Sequence, residues 1–308
     1  MMNNPIDILA ELEAMRLQEE SGYQWDDYYL DGIQDNGDPG AVGETCRQQL
    51  GEWFYRVIDH WDMKRETVAV AMSTFDRFLA SPAGRTPLRD PKIHRLVAMA
   101  SLYNSIKIHE ALAVSPGEVA RMSQGLFSTR DVTDMEMKVL QGVGWRVHPP
   151  TALAFVHRCL ELLPEGSASP LDKATILGVA RYQTEVAVMD YALSRMNAST
   201  VAVASVANSM FWKGVPTETR AKYLVRMVQL LRVHPKDYHT TQIMLCKAMK
   251  RLKLERRNDF SVAASQVATV DVKFGKKSSP RCVANGPLTT TTTTTTTCRV
   301  HHVNKSVY

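Results

Sequence analysis

The amino-acid sequence predicts an all-α protein of two consecutive five-helix domains, flanked by a disordered N-terminal arm and a disordered C-terminal tail. Apolar residues recur at three- and four-residue spacing between residues 44 and 254, which is the period of amphipathic helices. No run of alternating apolar and polar residues indicates a strand. Four segments are predicted: an acidic arm at 1–43, a first domain at 44–148, a second domain at 149–254 and a basic low-complexity tail at 255–308.

Each of the five helices in the first domain has its own apolar stripe or start signal. The first two carry stripes at Leu50, Phe54, Val57 and Trp61 and at Val68, Ala71, Met72, Phe75 and Leu79. The third begins at Asp90-Pro91 and is apolar on nearly every side, which is typical of a central, buried helix. Ser115 and Glu118 form a capping box for the fourth helix, and Ser128 with Asp131 resembles a variant that starts the fifth.

The second domain is predicted to have the same number of helices. The candidates are 150–163, 168–195, 199–213, 217–233 and 236–254. The second of these is long, so we expect it to bend. The run from Ser199 to Met210 consists mostly of small residues and favours close packing of a central helix.

Charge is unevenly distributed along the chain. Residues 1–45 hold eleven Asp and Glu against Arg16 alone, whereas residues 255–308 hold eight Lys and Arg against three acids. The net charge of +5 therefore belongs to the tail, which gives no indication of a nucleic-acid-binding core. No apolar run predicts a membrane span, and five scattered cysteines without a Cys-x-x-Cys pair suit a reducing, intracellular compartment.

Short motifs in the tail have more than one interpretation. The basic runs at 250–257 and 276–281 are either a nuclear import signal or solvated helix ends, so the expected location is the nucleus, the cytoplasm or both. Ser279-Pro280 is a minimal proline-directed phosphorylation site. No standard zinc spacing fits the ligand-type residues of the tail, which are Cys282, Cys298, His301 and His302. Without a phosphate loop or a catalytic motif, we expect no metal, no cofactor and no enzyme activity.

Four charged residues fall on or at the edge of apolar stripes of separate helices: Arg47, Asp76, Lys107 and Glu136. A charge on a core-facing stripe is costly unless it is paired or serves a partner surface. The four residues either extend from the stripe margins into solvent, or divide into one buried structural bridge and one pair that faces a partner. Spacing alone leaves open which pair has which role.

Four sequence segments carry these residues in order. They are CRQQLGEWFYRV at 46–57, ETVAVAMSTFDRFLA at 66–80, LVAMASLYNSIKIHE at 96–110 and MEMKVLQGVGWRVHPPT at 135–151. Together they resemble the cyclin box, whose members show an Arg-x-x-Leu-x-x-Trp word, an Asp-Arg-Phe-Leu word, a helix ending in Ser-Lys-x-x-Glu and a Met-Glu…Trp…Pro-Thr word. The resemblance covers about residues 40–160, and the second domain is similar to the cyclin C-terminal fold by helix count and placement.

The resemblance implies a role for each charge. Arg47 and Asp76 match the pair that bridges helices inside the box, whereas Lys107 and Glu136 match the pair that faces the cyclin-dependent kinase. Leu96 matches a packing residue on the central helix of the same kinase-binding set. The implied function is an activating subunit of a cyclin-dependent Ser/Thr kinase that controls cell-cycle progression. Its partners would be the kinase, in a heterodimer, and kinase substrates or inhibitors, but neither nucleic acid nor membrane.

The sequence departs from the family at the substrate-docking patch. Leu50 and Trp53 remain as a remnant of that patch, but Cys46, Gln49 and Arg56 replace the usual Met, Ile and acidic residue. Because Arg56 would repel an arginine, docking of Arg-x-Leu peptides is not expected. The N-terminal arm at 1–43 has no Arg-x-x-Leu…Asn destruction signal and no Leu-x-Cys-x-Glu word.

Two other functions stay open from the sequence. One is a cyclin-fold transcription adaptor that binds DNA and polymerase. Such an adaptor is expected to have basic surfaces on its helical core and an N-terminal zinc ribbon, whereas this core is neutral and the N-terminal arm has no Cys pair. The other is a cyclin-fold scaffold that binds no kinase, against which Lys107 and Glu136 argue.

Overall fold

The computed structural model describes residues 4–29, 42–163 and 169–266, and every regular element in this part of the chain is helical. The α-helices are α1 (Pro5–Glu20), α2 (Glu44–His60), α3 (Glu66–Ala80), α4 (Pro91–His109), α5 (Pro116–Met122), α6 (Thr129–Gly142), α7 (Ala152–Glu161), α8 (Pro170–Met189), α9 (Tyr191–Ser194), α10 (Ala198–Lys213), α11 (Thr217–Leu230) and α12 (Pro235–Gln266). A 3-10 turn at Pro82–Arg85 joins α3 to the loop before α4. The all-α prediction is confirmed.

The central helix of the first domain is α4, as the sequence predicted. The Asp90 carboxylate accepts hydrogen bonds from two backbone N–H groups of the first turn and so fixes where the helix begins. All residues from Val97 to Ile106 are buried, and α3 and α6 pack against them. Both predicted capping boxes, at Ser115 and Ser128, are present at the starts of α5 and α6.

The second domain surrounds α10, whose residues from Ser199 to Met210 are all buried. The long helix predicted at 168–195 is interrupted at Asp190. The Asp190 side chain accepts a hydrogen bond from the Leu193 N–H and starts the short helix α9. The described part of this domain therefore has six helices rather than the five that were predicted.

The N-terminal segment corrects the prediction of a disordered arm over residues 4–29. The sequence from Ile6 to Arg16 is compatible with a short helix, and α1 extends beyond it to Glu20. Ile8 and Leu12 of α1 are buried with Phe155 in the core of the second domain. Two buried apolar residues four positions apart make a weak stripe, and acidic residues dominate the surrounding sequence. The helix is therefore held by a distant part of the chain rather than by its local pattern.

The C-terminal boundary also moves, because α12 continues to Gln266 instead of ending at 254. The predicted phosphorylation site, the basic run at 276–281 and the four zinc-ligand candidates of the tail lie outside the described residues. Across the described ranges, no helix combines the length and apolarity needed to cross a bilayer. Those ranges likewise contain no group of three His, Cys, Asp or Glu placed to hold a metal ion.

Candidate functional site

Arg47 of α2 and Asp76 of α3 form a buried, bidentate ion pair. The Arg47 Nε donates to Asp76 Oδ1 at 2.8 Å, and Nη2 donates to Oδ2 at 2.7 Å. Both residues are 1% exposed. Burial alone would lower the pKa of Arg47, but the charge and hydrogen bonds of Asp76 raise it, so the guanidinium stays protonated. Two helices of the first domain are thereby joined by a buried charged pair.

Arg47 also joins the two domains. Its Nη1 donates to the carbonyl oxygens of Val188 at 3.1 Å and Met189 at 3.3 Å, which lie at the C-terminal end of α8. The last carbonyls of a helix have no partner within the helix, so this guanidinium satisfies two of them. The sequence predicted only a bridge between the first two helices of the first domain.

Lys107 and Glu136 meet at the surface of the first domain. The Lys107 Nζ, near the end of α4, lies 2.5 Å from Glu136 Oε1 on α6. The Lys107 side chain is 44% exposed and that of Glu136 is 14% exposed. The hydrogen bond to Glu136 raises the pKa of Lys107, and the ammonium also lies 5.0 Å from the centre of the Tyr103 ring. Both charges are held in place yet remain accessible from solvent.

Exposed apolar side chains follow each of the two charged residues in the chain. Ile108 is next to Lys107 in the chain, and Trp145, just beyond the end of α6, is 59% exposed. The end of α4 reaches the segment after α6, since the His109 ring lies 3.2 Å from the Val147 carbonyl oxygen. We call Lys107, Ile108, Glu136 and Trp145 the contact face. It combines two fixed charges with apolar area, as protein interfaces do.

Leu96 is not part of the contact face. It is half-buried against the core of the first domain. It lies on the same side of α4 as Lys107, but eleven residues earlier, about 16 Å along the helix axis. Leu50 and Trp53 are also elsewhere, at an apolar cleft between α2 and α4.

An aromatic segment that was not predicted from the sequence connects both domains. Tyr28 donates from its hydroxyl to Asp76 Oδ1 at 2.9 Å, so it completes the buried ion pair of the first domain. The neighbouring Asp27 accepts hydrogen bonds from the Tyr191 hydroxyl at 2.7 Å and from Arg195 at 2.6 Å in the second domain. The sequence signal for this segment is its aromatic content, with four aromatic residues in Tyr-Gln-Trp-Asp-Asp-Tyr-Tyr at 23–29. Large aromatic side chains are mostly buried in folded proteins, so such a cluster indicates packing against the rest of the chain.

Glu110 was predicted only as the last acid of the third segment, and its structural role was missed. Its carboxylate accepts hydrogen bonds from the Lys64 N–H at 3.1 Å and from the Thr67 hydroxyl at the start of α3. Glu110 therefore ties the end of α4, two residues beyond Ile108, to the beginning of α3. This contact fixes the backbone that presents the contact face.

Known proteins share the sequence pattern and the fold. Residues 11–148 match the family described as Cyclin, N-terminal domain. A G2/mitotic-specific cyclin-B2 of Oryzias latipes is 25% identical over 177 residues, which cover 57% of this chain and 42% of that protein. Cyclin-D3-2 of Arabidopsis thaliana is 33% identical over 115 residues, which cover 36% of this chain and 30% of that protein.

A solved structure extends the likeness beyond the first domain. The X-ray structure of a viral cyclin from herpesvirus saimiri aligns with 77% of this chain and 97% of its own, with a TM-score of 0.59 at 14% identity, which shows a shared fold. The match spans less than half the length of the cyclin-B2 and cyclin-D3-2 relatives. The sequence identity is 25% with the B-type relative and 33% with the D-type relative. Residues 11–148 therefore belong to the cyclin N-terminal domain family, and the chain shares its fold with a viral cyclin.

Proposed function

We propose that this protein is a regulatory subunit that activates a cyclin-dependent Ser/Thr kinase and thereby controls cell-cycle progression. The observation that carries the proposal is the contact face, where Lys107 and Glu136 are paired across two packed helices and are followed in the chain by exposed Ile108 and Trp145. The match of residues 11–148 to the cyclin N-terminal domain family and the names of the B-type and D-type relatives support it.

The contact face would work by binding rather than by chemistry. The ammonium of Lys107 can donate to backbone carbonyls of a partner, and the carboxylate of Glu136 can accept from backbone N–H groups. Ile108 and Trp145 would supply the buried apolar area. A kinase regulatory helix held in this way shifts into its active position, where the Lys–Glu ion pair of the kinase can form.

Opening the Lys107–Glu136 pair to admit a partner would cost little. The pair is partly solvated, and ion pairs in that setting contribute on the order of 0–1 kcal/mol. The buried helix α4, in contrast, keeps the backbone beneath the pair in place. The face is therefore preorganised in its backbone and adaptable in its side chains, which limits the entropy lost on binding.

The test removes both charges from the contact face. The variant Lys107→Ala with Glu136→Ala is expected to lose copurification of the kinase, while its helical circular dichroism stays that of the wild type. The matched control is Lys222→Ala with Glu218→Ala, which removes an exposed ion pair of 2.7 Å from α11 and should leave kinase binding unchanged. Normal binding and activation by the contact-face variant would show that the proposed interface is wrong.

The same proposal includes location in the nucleus, the cytoplasm or both. The nuclear location rests on the basic run at 250–257, whose interpretation as an import signal is supported only by its composition. Imaging of the tagged full chain beside a variant with Lys250 and Arg251 changed to Gln tests it. A nuclear signal that is unchanged in this variant would remove the run as an import signal.

A further inference from the structure

A cavity lies between the two domains, where residues 23–26 of the aromatic segment form one of its sides. We call these four residues the strap. The cavity volume is about 350 Å³, which falls in the range of small-molecule sites, and such sites are frequent where two domains meet. Close-packed protein interiors rarely leave a void larger than a water molecule. A space of this size at the junction is therefore a candidate binding site.

Both domains contribute to the wall of the cavity. From the first domain, α3 supplies Met72 and Ser73. From the second domain, α8 supplies Ala187 and Val188, and the start of α10 also takes part. The wall thus combines apolar side chains with polar groups, which suits a molecule that has an apolar body and a polar end.

The buried charges of this wall are already engaged with groups of the protein. Arg47 and Asp76 line the cavity and form their bidentate ion pair with each other. The carboxylate of Glu19, which also lines the cavity, accepts two hydrogen bonds from Ser199. A ligand therefore finds no free countercharge in the buried part of the wall.

Among the described residues, Asp26 is the lining charge that has no partner. The Asp26 carboxylate is exposed and makes neither a hydrogen bond nor an ion pair within that part of the chain. Arg195, the other exposed charge of the wall, donates to Asp27 at 2.6 Å. The free charge at the cavity is therefore negative, which favours a positively charged ligand.

Trp25 contributes an aromatic ring beside this carboxylate in the strap. It is half-buried, and its ring centre lies 5.3 Å from that of Tyr28 and 5.6 Å from that of Tyr191. Those two tyrosines do not line the cavity, so they hold Trp25 in position without filling the space. An ammonium group is attracted both by a carboxylate and by the face of an indole ring. Trp25 and Asp26 together therefore match an organic amine.

From these observations we propose that the cavity binds a small organic amine with an aromatic or other apolar body. Its ammonium group pairs with Asp26 beside the Trp25 ring, and its body contacts Met72 and Val188. Such a ligand touches the strap and both domains at once, so it stabilises their junction. No residue of the contact face lines the cavity, and the inference does not depend on the proposed function.

The experiment compares three indole compounds by isothermal titration calorimetry with the full chain at low ionic strength. Tryptamine carries an ammonium group, tryptophol a hydroxyl group and indole-3-acetate a carboxylate on the same ring system. We expect tryptamine to bind about tenfold more tightly than tryptophol, the effect of one hydrogen bond to a charged group, and indole-3-acetate to bind most weakly. Equal affinities for tryptamine and tryptophol, or no binding of tryptamine, would overturn the proposal.

Asp26→Asn tests where the ammonium group binds. The variant keeps the size of the side chain and removes its charge, so it should abolish the preference for tryptamine and leave tryptophol binding unchanged. Asp237→Asn is the matched control, because it removes an exposed carboxylate of α12 outside the cavity and should keep the full preference. A tryptamine preference that survives in Asp26→Asn would contradict the assigned site.

Ala69→Leu tests the cavity itself. Ala69 is half-buried on α3 and lines the cavity, so the larger side chain fills part of the space and should weaken the binding of both tryptamine and tryptophol. Ala221→Leu, the same change at an exposed position of α11, is the matched control and should alter neither affinity. Unchanged affinities in Ala69→Leu would place the ligand outside the cavity. If Ala69→Leu folds poorly, the comparison of Asp26→Asn with the wild type still decides the proposal.

Discussion

His94 is buried without a hydrogen-bonding partner for its ring. It lies on α4, is 0% exposed, and packs edge-on against Phe75 with the ring centres 5.0 Å apart. Neither ring nitrogen makes a hydrogen bond to a described residue. Burial lowers the pKa of His94 to about 4, and the smaller effect of the Pro87 carbonyl opposes it. His94 is therefore neutral at physiological pH and behaves as an apolar residue of the core.

The lowered pKa of His94 makes the stability of the first domain depend on pH. An unfolded histidine titrates near pH 6.5, so as the pH falls the unfolded chain binds this proton before the folded chain does. The His94 contribution is complete above about pH 6.5 and is lost as the pH falls toward 4, by on the order of 3 kcal/mol in all. His94→Leu should reduce the acid loss in the free energy of unfolding, measured by urea titration from neutral pH to about pH 5.

A control variant distinguishes titration from loss of packing. Val97→Ala, one turn further along α4, removes buried volume without a titrating group, so it should lower stability by a similar amount at every pH. If His94→Leu and the wild type lose stability in parallel as the pH falls, other groups cause the acid sensitivity.

The sequence predicted which four charges were unusual but could not supply all their partners. The periodicity placed Arg47 and Asp76 on or at the edge of the apolar stripes of separate helices, and the family resemblance paired them. The Nη1 of Arg47 donates to the carbonyls of Val188 and Met189, which lie more than a hundred residues further along the chain. A backbone carbonyl has no residue-type signature, so no sequence pattern could have indicated that contact.

At the scale of elements, local signals predicted helix starts well and missed one cap that is supplied by another helix. The Asn197 side chain makes no hydrogen bond to the first turn of α10. Glu19 of α1 takes this role, since its carboxylate accepts from the Ser199 N–H at 3.1 Å and from the Ser199 hydroxyl at 2.6 Å. Burial raises the pKa of Glu19, and the hydrogen bonds from Ser199 partly offset this effect. α1 thus holds the start of the most buried helix of the second domain.

Removal of the Glu19 carboxylate should loosen α1 and the start of α10 together. Glu19→Ala is expected to cost about 1–2 kcal/mol, because a helix N-terminus loses its acceptor in a buried setting. Hydrogen exchange should accelerate in α1 and at Ser199 to Val201, while α4 keeps its protection. Glu13→Ala, on an exposed position of the same helix, is the matched control. Faster exchange in α1 alone would mean that α10 does not depend on this cap.

At the scale of the whole molecule, a polar junction around Arg47 and Asp76 joins the two domains. Asp76 of the first domain receives Arg47 and Tyr28, Arg47 reaches the end of α8, and Asp27 binds Tyr191 of the second domain. The sequence predicted the two domains from their helix patterns. It could not predict this junction, because these polar contacts join segments that are far apart in the chain and carry no periodic pattern.

From this junction we expect Arg47 to stabilise the protein in two separable ways, by pairing with Asp76 and by binding the end of α8. Arg47→Met leaves Asp76 buried without its countercharge and α8 without its terminal donors, so it should lower the free energy of unfolding by about 3–5 kcal/mol. Adding Asp76→Leu removes the orphan charge and should recover most of that loss, since an apolar pair of similar volume tolerates the same site. The donors to Val188 and Met189 remain absent in the double variant. In this double variant, hydrogen exchange in the last turn of α8 should therefore stay fast, even though the free energy of unfolding returns close to that of the wild type. Full recovery of protection in that turn would mean that Arg47 braces only α2 against α3, as the sequence alone suggested, and that the second domain is positioned by other contacts.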